Sequence, residues 1–358
     1  MTRSYSMKPR HLAVALIAMT LAPTAGWTQG AATPPSPAAS AAAHVTVDRI
    51  KVHSAALEGN LEKEPSDREV VVYLPPDYAT NTAKRYPVVY VLHGYNLTVP
   101  GFEGLLQSPR TIDAAFARGI PGMIVVLPDT DTVYGGSMYS SSVTSGDWEG
   151  FITRDLVAYI DGHYRTLADR RSRGLAGHSM GGYGTTRLGM KYPDIYGAIY
   201  IMSPCCLSAR DVPPAAAATV VENVKQPADA AKLDFLGKAT LAVAAAWSPD
   251  PAKPPLYVDL PTADGAVDKS VLARWAANAP LAMLDQYVFN LKRYGAIAID
   301  VGDQDGLRVD AEDLHRRMSH RGIENSFEIY HGDHGNAVPD RFENHVLPFF
   351  GRVLSFTK

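Results

Sequence analysis

The chain has 358 residues, 34 Lys and Arg against 37 Asp and Glu, and a formal net charge of −3. That balance excludes the basic footprint of a nucleic-acid partner, and 46% hydrophobic with 20% charged residues excludes a disordered chain. Two adjacent cysteines, Cys205 and Cys206, exclude a disulfide framework, and with no CxxC or HExxH neither a metal nor a cofactor is expected.

The N-terminus reads as a secretory leader. Arg3, Lys8 and Arg10 precede the apolar run "LAVALIAMTLA" (12–22), and small residues follow. The run falls short of the roughly 20 residues that span a bilayer. Residues 1–30 are therefore expected to be a signal peptide, the protein to be secreted or periplasmic, and no stable membrane span to form. "AATPPSPAASAAA" (31–43) reads as a flexible linker, which leaves 44–358 as one folded domain.

Within that domain β-rich runs alternate with helical ones. "REVVVYLP" (68–75), "YPVVYVLHG" (86–94) and "GMIVVLPD" (122–129) predict strands, the last two buried on both faces. "GDWEGFITRDLVAYIDGHY" (146–164) has helical spacing. "RGLAGHS" predicts a strand and "MGGYGTTRLGMKY" the helix after it. "GAIYIMSP" (197–204), "GAIAIDVGD" (295–303) and "NSFEIYHG" (325–332) complete the strands, and "RFENHVLPFFGRVLSF" (341–356) predicts a helix interrupted at Pro348. The alternation implies an α/β fold, a mostly parallel sheet with helices on both faces. Residues 207–290, rich in Ala and Pro, break the pattern and read as an insertion, a lid or substrate wall.

Gly177-His178-Ser179-Met180-Gly181 is a G-x-S-x-G motif between a predicted strand and a predicted helix, the context of a nucleophile elbow. A sharp turn there needs neighbours without bulk, and the Met180 N–H at the helix start faces the oxyanion. A serine needs a base, and the base an acid. Asp303 and Asp305 follow one later strand, His331 and His334 the next. Asp305 and His334 are preferred because each lies farther past its strand end. His331 continues the strand alternation, and Asp300 lies within its strand as a structural residue. "VLHGYN" (91–96) offers a second oxyanion donor, the Tyr95 N–H, with His93 orienting the loop. His178 reads as a packing residue, and Asp129 and Asp131 as loop-ordering. Tyr95, Tyr134, Tyr139, Trp148, Trp247 and Tyr257 are candidates for an aromatic substrate wall or for ordinary packing, with Tyr139, Trp148 and Trp247 preferred as substrate contacts. Cys205 and Cys206, just past a strand, are either two small thiols or a vicinal disulfide that stiffens the loop into the insertion.

These residues resemble the esterase D-type branch of the α/β-hydrolases, which includes S-formylglutathione hydrolases, feruloyl and acetyl-xylan esterases, enterochelin esterases and mycolyltransferases. The resemblance covers about residues 68–355 and is carried by "YVLHGYN", "YSSSVTSGDWEGFITRDLVAYIDGHYRT", "RGLAGHSMGGYGTTRLGMKYPDIYGAIYIMSP" and "GDQDGL…YHGDHG". It implies an α/β-hydrolase fold, with Ser179 as nucleophile, His334 as base, Asp305 as acid, and Tyr95 and Met180 as oxyanion donors. The expected activity is hydrolysis of a small-molecule or carbohydrate-linked carboxylic ester, with feruloyl, acetyl or another short acyl group. Acyl transfer to a sugar or lipid alcohol, and a non-catalytic binding protein on the same fold, stay open, as does the oligomeric state.

Overall fold

The computed structural model describes residues 44–209 and 220–357. The expected leader (1–30) and linker (31–43) lie outside the described residues, as does 210–219 of the insertion. Eight strands form the central sheet: β1 (Thr46–His53), β2 (Asp67–Leu74), β3 (Val88–Leu92), β4 (Ile124–Pro128), β5 (Arg173–His178), β6 (Ala198–Met202), β7 (Ala296–Gly302) and β8 (Ser326–Tyr330). Their spatial order is β1-β2-β4-β3-β5-β6-β7-β8. β2 runs antiparallel to β1 and β4, and every other neighbouring pair is parallel.

The continuous apolar runs are explained by burial on both faces. Val88, Tyr90 and Leu92 of β3 point into one core layer, and Val89 and Val91 into the other. β4 and β6 divide in the same way, with Ile124 and Val126 opposite Val125 and Leu127, and Ile199 and Ile201 opposite Ala198 and Tyr200. Each fully buried aliphatic side chain contributes about 1.5–3 kcal/mol. Helices α1 (Val99–Leu106) and α2 (Arg110–Ala117) cover one face, together with the C-terminal segment. On the other face lie α3 (Leu156–His163), α4 (Met180–Lys191) and a later helix described below.

Three local features depart from the predicted elements. β1 is an added edge strand; its polar, half-exposed sequence TVDRIKVH carries no apolar run. α3 is entered through Trp148–Gly150 and a π-helical turn, Phe151–Asp155. At the C-terminus Pro348 lies in the first turn of a helix, Leu347–Val353, and a second π-helical turn, Phe342–Val346, precedes it. The interruption thus falls where the proline ring would otherwise collide with the preceding turn.

The insertion between β6 and β7 is ordered around two further helices, α5 (Phe235–Trp247) and α6 (Lys269–Ala277). Asp234 and Asp268 cap them by accepting amide hydrogens of the first turn. Val221, Leu241, Ala244, Ala245 and Val258 form a small apolar core of their own, closed by Tyr134 and packed against Tyr95. The insertion therefore rests on loops at the carboxyl edge of the sheet. α7 (Arg308–His320) returns the chain from β7 to β8. No helix among the described residues is long and apolar enough to cross a membrane.

Candidate active site

Ser179 stands between β5 and α4 at φ 59° and ψ −114°. A residue with a Cβ is strained there and stays only where its surroundings hold it. They do so on both sides: the Ser179 amide donates to Met202 O at 3.1 Å, and its carbonyl accepts from the Tyr183 and Cys205 amides at 3.0 and 3.1 Å. The glycines around it permit the backbone contacts of the turn. A Cβ on Gly177 would stand 2.2 Å from Gly181 O, and one on Gly181 would stand 2.0 Å from Leu92 O.

The carboxyl ends of β7 and β8 bring two more side chains to this point. Ser179 Oγ donates to His334 Nε2 at 2.9 Å, and His334 Nδ1 donates to Asp305 Oδ2 at 2.8 Å. The Asp305 side chain is only 2% exposed, whereas His334 is 43% exposed and reaches solvent. Burial pushes the Asp305 carboxyl up, but the hydrogen bonds from His334 and from the Leu307 amide outweigh it and hold it below its ordinary value. Asp303 and His331 form a separate pair at 3.0 Å on the surface, with side chains 38% and 84% exposed, and do not meet Ser179.

Two buried histidines position the loops. A backbone carbonyl can only accept, so the 2.7 Å contact of His178 Nε2 with His334 O fixes the proton on Nε2. The His178 and His334 rings lie 4.7 Å apart, and burial, reinforced by His334, lowers the His178 pKa to about 4. His178 is thus a neutral clamp on the His334 loop rather than a simple packing residue. His93 Nε2 accepts from the Thr130 amide at 2.8 Å, which leaves its Nδ1 proton for Gly94 O at 2.9 Å. This pins the loop after β3 beside Ser179, where a Cβ on Gly94 would come within 3.3 Å of Ser179 Cβ. The Tyr95 amide follows on that loop. The Met180 amide opens α4, where the first N–H groups have no helical partner.

The expected aromatic wall is built differently. Tyr139 is fully buried and donates its phenol to His93 O at 2.9 Å. Trp148 is also fully buried, with its indole N–H on Ser145 O and Arg68 over its ring. Neither has surface left for a ligand; both brace the loops from behind. Trp247 is 9% exposed, donates to Ser140 Oγ and packs between Tyr183 and Trp275. Phe235, in the insertion, does face outwards, 60% exposed and edge-on to the Tyr95 ring at 5.2 Å. It begins a helix inside the insertion, where no sequence periodicity singled it out. Asp129 orders its loop by binding Arg68 and the Asp131 amide. No group of three or more His, Cys, Asp or Glu side chains among the described residues is arranged to hold a metal ion.

Comparison with known proteins agrees with this architecture. A 132-residue stretch, 34% of this chain, is 36% identical to an esterase of Mycobacterium tuberculosis. Another, of 134 residues and 35% of the chain, is 31% identical to an endo-1,4-beta-xylanase/feruloyl esterase of Xylanibacter ruminicola. The matches span 26% and 18% of those longer relatives. A solved ferulic acid esterase is similar with a TM-score of 0.63 at 23% identity, covering 87% of this chain and 99% of that one. That likeness carries the fold, the α/β-hydrolase fold. The family model described as "Putative esterase" matches residues 62–343, and the chain belongs to that family.

Proposed function

We propose that this chain is an exported serine esterase that hydrolyses carboxylic esters through an acyl-enzyme on Ser179. The observation that carries the reading is the hydrogen-bonded series Asp305–His334–Ser179 at a strained strand-to-helix turn. His334 Nε2 takes the Ser179 proton as Oγ attacks the ester carbonyl. The Tyr95 and Met180 amides receive the developing oxyanion. His334 then gives its proton to the leaving alkoxide, and the alcohol departs. A water, deprotonated by the same imidazole, releases the acid and restores the serine. Asp305 holds the tautomer and stabilises the imidazolium.

The substrate is an ester with a feruloyl, acetyl or other short acyl group, and the edge-on pair of Tyr95 and Phe235 supplies an apolar wall for it. The named activities of the xylanase/feruloyl esterase relative and of the ferulic acid esterase support this class. The basic segment and apolar run before residue 30 support export, with 44–358 as the catalytic unit.

The test is Ser179→Ala assayed on aryl esters and feruloyl and acetylated sugars. The variant should lose at least about 10³-fold in kcat, keep the wild-type melting temperature and resist covalent labelling by a fluorophosphonate. Retention of more than about a tenth of the activity would remove Ser179 from the mechanism.

A further inference from the structure

The loop after β6 holds a second reactive group that ester hydrolysis does not use. Cys205 and Cys206 are the two cysteines of the chain, so neither has another intramolecular partner for a disulfide. Their sulfurs lie 2.7 Å apart, and both residues are partly exposed at the edge of the core. Cys206 sits at φ 59°, so the backbone already turns sharply at the pair. The Cys205 amide donates to Ser179 O at 3.1 Å, one of the bonds that hold the strained turn. Immediately after the pair the chain passes into the insertion.

We propose that Cys205 and Cys206 are a site of reversible oxidation to a vicinal disulfide by low-molecular-weight disulfides. One cysteine loses its proton, and its thiolate attacks a sulfur of the small disulfide. A mixed disulfide forms, and the first small thiolate leaves and is protonated. The neighbouring thiolate attacks the protein sulfur of that mixed disulfide and expels the second small thiolate. Two protein thiols are oxidised by two electrons, the small disulfide is reduced by the same two, and two small thiols carry off the protons. The product is a ring that includes the Cys205–Cys206 peptide, which restricts the backbone on both sides. The Cys205 amide opens less often as a result, and the carbonyl of residue 179 is held more firmly.

The full chain is incubated with glutathione disulfide, alkylated under denaturing conditions and weighed intact. The expected product is a monomer lacking two hydrogens and carrying no alkyl group; prior dithiothreitol restores two alkyl groups. Cys206→Ser should stop at a mixed disulfide with glutathione. Hydrogen exchange across 203–207 should slow by about tenfold in the oxidised form. Two alkyl groups after oxidation, a persistent glutathione adduct on the wild type, or a disulfide-linked dimer overturns the site. Unchanged exchange overturns its link to the turn. Neither readout depends on ester hydrolysis, so the proposal stands or falls separately from the role of Ser179.

Discussion

Asp303–His331 and Asp305–His334 are two carboxylate–imidazole pairs of the same chemistry, at 3.0 and 2.8 Å, on the same two loops. Burial and direction separate them. Asp305 lies under the loop and its imidazole partner points at Ser179, whereas the other pair faces water. Asp305→Asn is expected to lower kcat by about 10⁴-fold by supporting the wrong tautomer. Asp303→Asn should leave kcat within about twofold, as for a surface ion pair of little energy. Steady-state kinetics on one aryl ester checks both, and the reverse ranking would move the relay to the other pair. Both pairs could be read from the sequence because each follows a strand run. The clamp by His178 could not: its partner is the carbonyl of residue 334, and no pattern of side chains records a bond to a backbone atom 156 residues away.

At the level of elements, the elbow is a contact between backbones. Gly181→Ala would drive a Cβ into Leu92 O, backbone that cannot swing aside. It should abolish soluble expression or lower the melting temperature sharply. Gly162→Ala, inside α3 with no atom beyond its own stretch of helix backbone within 4 Å of the new Cβ, should instead stabilise by about 0.5–1 kcal/mol. Thermal melting of the two variants distinguishes a glycine required by space from one that is merely permitted. Across the sheet, Arg341 ties the C-terminal segment to Asp300 of β7 at 2.8 Å and to Glu328 of β8, with the Arg341 and Asp300 side chains 3% and 1% exposed. Arg341→Leu leaves Asp300 buried without its cation and should cost about 3–5 kcal/mol in urea unfolding. β3, β4 and β6 were legible because burial on both faces demands unbroken apolar runs. β1 was not, because an edge strand pairs through its backbone and leaves side chains such as Thr46, Lys51 and His53 exposed, with no apolar run. The aromatic wall was misassigned for a related reason: composition places Tyr139 and Trp148 on active-edge loops but says nothing of which way they turn.

For the molecule as a whole, one buried carboxyl makes stability depend on pH. Burial, reinforced by Glu64, raises the Glu62 carboxyl to a pKa of about 8, and neither of its oxygens has a hydrogen-bond partner among the described residues. Below the ordinary value of 4.5 both folded and unfolded chains hold the proton, and no stability is lost. Above it the unfolded chain ionises first, so the contribution of this carboxyl to stability declines as pH rises towards about 8 and then levels. Glu62→Gln should match the wild-type melting temperature near pH 4 and exceed it increasingly up to pH 8, by a margin worth roughly 3 kcal/mol or more. Equal melting curves at both pH values would mean that the carboxyl is not protonated in the fold. The relay also spans the molecule in another sense: Ser179 and His334 stand 155 residues apart in the chain and meet only through the ends of β5 and β8. A ribosome finishes the hydroxyl long before it reaches the imidazole, so no nascent or truncated chain ending before β8 possesses the complete set. Biosynthesis therefore keeps Ser179 without the imidazole of His334 until the last strand of the sheet has been made.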